Sequence, residues 1–147
     1  LGLILNNGMS RFIYEGSGPN RAAPLKRVFH NMLPIVIARD GHPVAAIGHT
    51  GGPTIPSITT EAIMGLIDFR ETPGQIVKSP KLHTDGHEPV QIMDDFPKDV
   101  EEALIKRGHT FKHMSYIGGP LQVAMVNHSS NQVHAASSLK EQSAVVL

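Results

Sequence analysis

The order of elements predicts an α+β fold built in layers. Strand-like runs stand near both ends of the chain and helical patterns lie between them, an arrangement unlike a regular βαβ wind. Asp40-Gly41 sits between two apolar runs, the strongest short-range hairpin signal. Helix-start signals follow at Ser57 and at Thr72-Pro73.

From the start, Leu3 to Leu5 is a short apolar run stopped by Asn6-Asn7-Gly8, which predicts a strand and a turn. Residues 15–27, with Gly16, Gly18, Pro19 and Pro24 among Arg21, Lys26 and Arg27, read as a long loop of the kind that carries function. Ile35 to Ala38 and Val44 to Gly48 form the hairpin strands. Both are apolar nearly throughout, so both faces are expected to be buried. Ser57 is expected to cap a helix to about Phe69, with Ile58, Ala62, Ile63, Leu66 and Ile67 inward. Thr72-Pro73 opens a short helix to about Ser79. Val90 to Met93 is strand-like. Asp95 to Arg107 reads as a helix with Val100, Ala103 and Leu104 inward and Gly108 as its stop. Thr110 to His113, Leu121 to Asn127 and Val133 to Ala136 complete the strands, with a polar turn at residues 128–131. The tail from Ser137 has weak signals.

Composition narrows the function classes. The chain has 147 residues, 40% hydrophobic and 18% charged, an ordinary globular composition that allows one domain with a core. Thirteen basic residues balance 13 acidic ones, so no basic field attracts nucleic acid or an anionic membrane. Cysteine is absent, which removes disulfides, thiolate nucleophiles and zinc-thiolate sites together. No apolar run reaches the roughly 20 residues of a spanning helix. Leu1 to Leu5 lacks the basic leading region of a signal peptide and begins without Met, so the chain reads as a fragment or a processed product.

Gly51-Gly52, in Thr50-Gly51-Gly52-Pro53, is the most informative spot. The pair follows a strand and precedes a helix, and its amides have no side chain to obstruct approach. The helix N-terminus adds partial positive charge, and the whole meets the needs of an oxyanion hole. A plain tight turn needing positive φ is the other reading of the same residues. Thr59-Thr60 is internal and helical. A threonine nucleophile needs a free α-amine as its base, so the pair reads as backbone-bonded helix. His83, Asp85 and His87 have metal-ligand spacing, but they share a loop with Thr84, Gly86 and Pro89 and have no further strong ligand, so surface histidines are the reading kept. His30-Asn31 either contacts a substrate or ends the loop with local hydrogen bonds. Arg11, Lys26 and Arg27 either bind a carboxylate or are solvated.

In order and spacing these features resemble the gamma-glutamyltranspeptidase family. "LGLILNNGMSRF" is similar to the family's apolar strand followed by Asn-Asn, a Met and a Phe. "PLKRVFHNMLP" resembles the stretch where Lys-Arg-Pro precedes Ser-Ser-Met-Ser-Pro. "IVIARDGHPVAAIGHTGGPTIPSITTEAIMGLIDF" resembles the family's hairpin, Gly-Gly turn and helix. "SPKLH" is similar to Ala-Pro-Arg-Phe-His, "VEEALIKRGH" to the late helix, and "NQVHAASSLK" to the closing Gly-Ala-Ser-Asp-Pro-Arg strand. The similarity covers nearly the whole chain.

The resemblance implies an αββα sandwich of the N-terminal-nucleophile hydrolase type, incomplete in this chain. Residues 1–147 would be the C-terminal part of the small subunit, partnered by the large subunit and by the N-terminal part of the same self-cleaving precursor. The implied activity is attack by an upstream N-terminal threonine on a γ-glutamyl or related amide of a small molecule or peptide, as in glutathione processing, with no cofactor and no metal. The compartment is periplasmic or extracellular if the chain follows classical members, and the cytoplasm is the alternative. By position, Gly51 and Gly52 would supply the oxyanion amides. His30 and Asn31 fall where paired serines hold the substrate α-carboxylate. Gly8 and Arg11 fall where a Gln or Glu and an Asp hold its α-amino group. Arg11 in place of Asp reverses the charge facing that ammonium, His30 and Asn31 replace both serines, and Ser137 to Lys140 lacks the usual Asp and Pro. Leu1 offers an α-amine without a nucleophilic side chain.

Overall fold

The computed structural model describes residues 2–3, 7–139 and 142–146. The chain divides into two compact units, residues 1–32 and 33–147.

In the first unit the expected strand at Leu3 to Leu5 falls largely outside the described residues, and Leu3 itself has no regular structure. The turn expected at Asn7-Gly8 is a short 3-10 helix, Gly8–Arg11, which Asn7 precedes. Residues 15–27 form the loop that their Gly and Pro content predicts, pinned by an isolated parallel bridge between Ile13 and Arg21.

Among its described residues the second unit holds two sheets and three α-helices. Strands β1 (Ile35–Arg39) and β2 (His42–His49) form the hairpin, and Asp40 and Gly41 both take positive φ (52° and 80°) as a type I′ turn requires. Helices α1 (Ile55–Ile67) and α2 (Pro73–Lys78) follow. Then come β3 (Leu82–His83), β4 (Val90–Met93), α3 (Lys98–Ile105) and β5 (Phe111–Met114). Strands β6 (Leu121–Asn127), β7 (Gln132–Ser137) and β8 (Gln142–Val146) complete the chain. The larger sheet has the order β1-β2-β6-β7-β8, antiparallel throughout. The smaller has the order β3-β4-β5, with β4 and β5 parallel and α3 as their crossover.

One face of the larger sheet packs on α1 and α2. Ile47, Leu121, Val123 and Ala136 meet Ile58, Ala62, Ile76 and Val77 there in the main core. The opposite face is open, with Val36 70% exposed and Ala46 and Gln122 also exposed. The burial expected on both faces of β1 and β2 is therefore found on one only, because the helices cover a single face and β1 is the edge strand.

Helix α1 starts two residues before Ser57. A 3-10 turn, Gly52–Thr54, runs directly into it, and Pro56 suits a first turn where no N–H donor is needed. Ile58 and Ala62 face the core and Ile63 and Leu66 pack beside them, whereas Ile67 is half-exposed at the helix end. Thr72 and Gln75 form a reciprocal capping box on α2. Helix α3 begins at Lys98, after Pro97, instead of Asp95. Val100 and Ala103 are exposed, contrary to expectation, since nothing in the described chain covers that face and only Leu104 is half-buried. Gly108 takes φ 99° just beyond its end. Strands β3 and β8 carried no usable sequence signal.

Candidate active site

Strand β2 delivers His49 and Thr50 to a crossing of two glycine pairs. Gly51 has φ 144° and Gly52 φ 67°, conformations that L side chains rarely adopt. The facing loop supplies Gly118-Gly119, whose relation to Gly51-Gly52 the sequence reading missed. A Cβ on Gly51 would lie 2.8 Å from the Gly118 Cα and 2.8 Å from the Gly119 nitrogen. A Cβ on Gly119 would strike the Thr50 hydroxyl and lie 2.6 Å from its carbonyl oxygen. The Thr50 N–H donates to the Pro120 carbonyl (3.2 Å), which fastens the crossing. A readable hint existed: Gly-Gly-Pro occurs twice, at 51–53 and 118–120.

Among the described residues, no carbonyl or side chain accepts from the Gly51 or Gly52 N–H. These two amides stand at the mouth of α1, where the helix dipole favours negative charge. Chemically, such a turn can stabilise an oxyanion.

Behind it, His49 is buried, with Nδ1 3.3 Å from the Pro120 carbonyl and Nε2 3.3 Å from Thr54 Oγ1. Thr54 Oγ1 lies 3.1 Å from the Gly51 carbonyl oxygen. Burial pushes the His49 pKa below its ordinary value and the Lys81 ammonium adds to that, against the Pro120 carbonyl. A cleft of about 340 Å³ opens on His49 and Gly119 and is bordered by Lys81, Asp95, Tyr116 and Ser138.

Around α1 the buried polar groups are mostly satisfied. Ser57 Oγ is 2.9 Å from Nδ1 of His83, which is 3% exposed, and His83 Nε2 is 3.1 Å from Asp85 Oδ1. His83 is therefore not the surface histidine its loop suggested, because Ser57 and Asp85 hold both ring nitrogens, whereas His87 is exposed and turned to the Glu88 carbonyl (3.4 Å). Among the described residues no group of three or more His, Cys, Asp or Glu could hold a metal ion. Thr60 Oγ1 donates to the Pro56 carbonyl (2.8 Å), as a helical threonine should. Thr59 is 1% exposed and its hydroxyl has no partner. Lys81 Nζ donates to the Ile76 carbonyl (2.6 Å), and Glu61 accepts from the Leu82 N–H (3.3 Å). Burial raises the Glu61 carboxyl to about 7, opposed by Lys81 and the Leu82 N–H. Burial lowers Lys81, opposed by Glu61, Glu71 and Asp95.

In the first unit, Gly8 and Arg11 share the 3-10 helix, Gly8 half-buried and Arg11 exposed. His30 is exposed, its Nδ1 accepting from the Met32 N–H at 3.3 Å, and Asn31 is half-buried. Asn20, which the sequence gave no reason to single out, joins these segments. Its Nδ2 donates to the Arg11 carbonyl (2.6 Å) and its Oδ1 accepts from the Phe29 N–H (3.0 Å). Lys26 and Arg27 are exposed.

A family model described as gamma-glutamyltranspeptidase matches residues 1–147. The glutathione hydrolase proenzyme of Bacillus subtilis (strain 168) is 30% identical over 129 residues, 88% of this chain and 22% of that protein. The acylase ACY 1 proenzyme of Pseudomonas sp. (strain V22) is 32% identical over 135 residues, 92% of this chain and 24% of that protein. The cephalosporin acylase of Bacillus halodurans superposes with a TM-score of 0.83 at 22% identity, covering 99% of this chain and 27% of that one. The chain therefore spans about a quarter of the length of the relatives it matches. The fold is the α+β type of N-terminal-nucleophile hydrolases, present here in part. No helix among the described residues is long and apolar enough to cross a membrane.

Proposed function

Since the chain belongs to the gamma-glutamyltranspeptidase family, we propose that it is the C-terminal part of the small subunit of an amidohydrolase or acyltransferase acting on γ-glutamyl or related acyl amides. The observation that supports this best is the Gly51-Gly52 turn, whose two unpaired amides stand at the start of α1. The nucleophile is an N-terminal threonine upstream of the 147 residues, and its own α-amine takes the hydroxyl proton. Attack on the amide carbonyl moves charge onto the carbonyl oxygen, where the Gly51 and Gly52 N–H groups stabilise it. Collapse, with the α-ammonium returning its proton to the leaving nitrogen, expels the amine and leaves an acyl-threonine ester, which water or an amino acceptor then cleaves.

Within the first unit, Gly8, Arg11, His30 and Asn31 are the proposed acyl-recognition residues. The guanidinium of Arg11 would repel an ammonium and attract an anionic substituent. Partners are the large subunit and the rest of the precursor. Two relatives named a glutathione hydrolase and an acylase support a γ-glutamyl or related acyl amide as the substrate.

The test uses the complete precursor. Replacing the threonine that heads the small subunit by alanine should abolish both self-cleavage and amide hydrolysis, and retention of both would dispose of the proposal. A second reading, a non-catalytic module on the same scaffold, is favoured by the charge reversal at Arg11. Turnover of γ-glutamyl-p-nitroanilide by the intact protein would exclude it.

A further inference from the structure

The hydrogen-bonded run from Pro120 through His49 and Thr54 to Gly51 has a proton-counting consequence. The Pro120 carbonyl can only accept, so the His49 Nδ1 facing it at 3.3 Å carries a hydrogen. That leaves Nε2 to decide the rest. Thr54 has a single hydroxyl proton and two acceptors for it, His49 Nε2 at 3.3 Å and the Gly51 carbonyl at 3.1 Å. When the imidazole is neutral, its Nε2 lone pair draws that proton and the Gly51 carbonyl goes without it. When the imidazole is charged, Nε2–H donates to Oγ1, and the threonine proton turns to the Gly51 carbonyl. The Gly51 carbonyl and the Gly52 N–H belong to one peptide group. A hydrogen bond accepted at the oxygen polarises the group and makes the N–H a stronger donor.

We propose that His49 and Thr54 are positioning residues of the glycine turn, the protonation state of His49 setting through the Thr54 hydroxyl how strongly the Gly52 amide donates. The proposal rests on the oxyanion reading of that turn for its catalytic meaning, but not for its chemistry. The packing serves the relay. A Cβ on Gly118 would lie 2.6 Å from Thr54 Oγ1 and 2.7 Å from His49 Nε2, so only glycine leaves room for both. Lys81 is the charged group acting on His49, and Lys78 and Asp95 border the same cleft. Burial and Lys81 both favour the neutral ring, so the neutral arrangement holds near pH 7 and the polarised one appears on acidification.

The experiment uses the complete protein with 15N-glycine labelling. It follows the Gly52 amide resonance with pH in the wild type and in His49→Gln, Thr54→Val and Thr54→Ser. The wild type and Thr54→Ser should titrate, with an inflection below the ordinary histidine range, while His49→Gln and Thr54→Val stay flat. A flat wild type, or titration that survives in Thr54→Val, overturns the relay. Turnover of γ-glutamyl-p-nitroanilide gives the second readout. The ratio of wild-type to His49→Gln kcat should rise roughly two- to fivefold as pH falls through that inflection, with KM unchanged. A titrating Gly52 amide in a protein that turns over neither γ-glutamyl-p-nitroanilide nor an acyl amide bearing an anion would leave the relay standing and sink the enzyme reading. Turnover with an unresponsive amide would do the reverse.

Discussion

Gly51 and Gly118 meet backbone to backbone, so close that a Cβ on the first would sit 2.8 Å from the Cα of the second. Rotating the Thr54 side chain, whose Oγ1 lies 2.5 Å from that Cβ, would relieve only part of the conflict, because the Gly118 Cα and the Gly119 nitrogen are main chain. Gly51→Ala should therefore lower stability by about 1–3 kcal/mol through strain at φ 144° and overpacking. It should also reduce turnover by at least about 100-fold, as displacing an oxyanion donor does. Thermal denaturation and kcat of the complete protein check the two halves. Wild-type melting and turnover in the variant would show that the crossing tolerates movement.

Thr59 buries a hydroxyl that has no partner, which costs free energy in the folded state. Thr59→Val keeps the shape and removes the polar atom. It should stabilise the protein by about 1 kcal/mol, read as a higher denaturant midpoint.

Ser57 and His83 form the opposite case, a buried imidazole whose Nδ1 meets the Ser57 hydroxyl. Ser57→Ala leaves that nitrogen unsatisfied and should destabilise by about 1–3 kcal/mol. Ser57→Thr, which keeps the hydroxyl, should recover part of the loss in the same melt.

Glu61 governs a pH dependence with a definite sign. Its folded pKa, about 7, stands above the ordinary value of 4.5, so between those values the native state binds the extra proton. Its contribution is most favourable below pH 4.5 and is lost as pH rises to about 7. Lys81 is depressed, so its linkage runs the other way on the alkaline side, with stability rising as pH climbs through its folded value. Glu61→Gln should flatten the acid-side trend, a change of the order of 2 kcal/mol in chemical denaturation compared at pH 5 and pH 7.5.

Arg11 and Asn20 test recognition. If Arg11 faces the acyl substituent, Arg11→Asp should raise kcat/KM for γ-glutamyl amides by about tenfold and lower it for acyl groups bearing an anion there. Asn20→Ala removes both ties, to the Arg11 carbonyl and to the Phe29 N–H, and should raise KM several-fold while leaving kcat near the wild-type value. Initial-rate kinetics on paired substrates decide both.

What could be read in advance follows a physical rule. Asp40-Gly41 and the Thr72-Pro73 helix start were legible because each meets a local demand, positive φ in one case and a capped helix terminus in the other. Pro97 displaced the start of α3 from Asp95, a local cue given too little weight. Ser57 looked like a cap, but its hydroxyl answers a histidine that folding alone brings near. The same limit hid Gly118, His49 and Asn20, whose importance lies in contacts between segments distant along the chain. Two-residue β3 is too short to show a period.

The pairing of β2 with β6, His49 beside Leu121 and Ala45 beside Met125, also bears on how the protein folds. The hairpins β1–β2 and β6–β7 are local and can form in about 1–10 μs. Joining them means closing a loop that contains all three α-helices and the whole smaller sheet, so this union is a long-range pairing that carries a large loop-closure entropy. The glycine crossing lies at the end of that seam, and the candidate oxyanion turn is therefore completed only when that loop has closed.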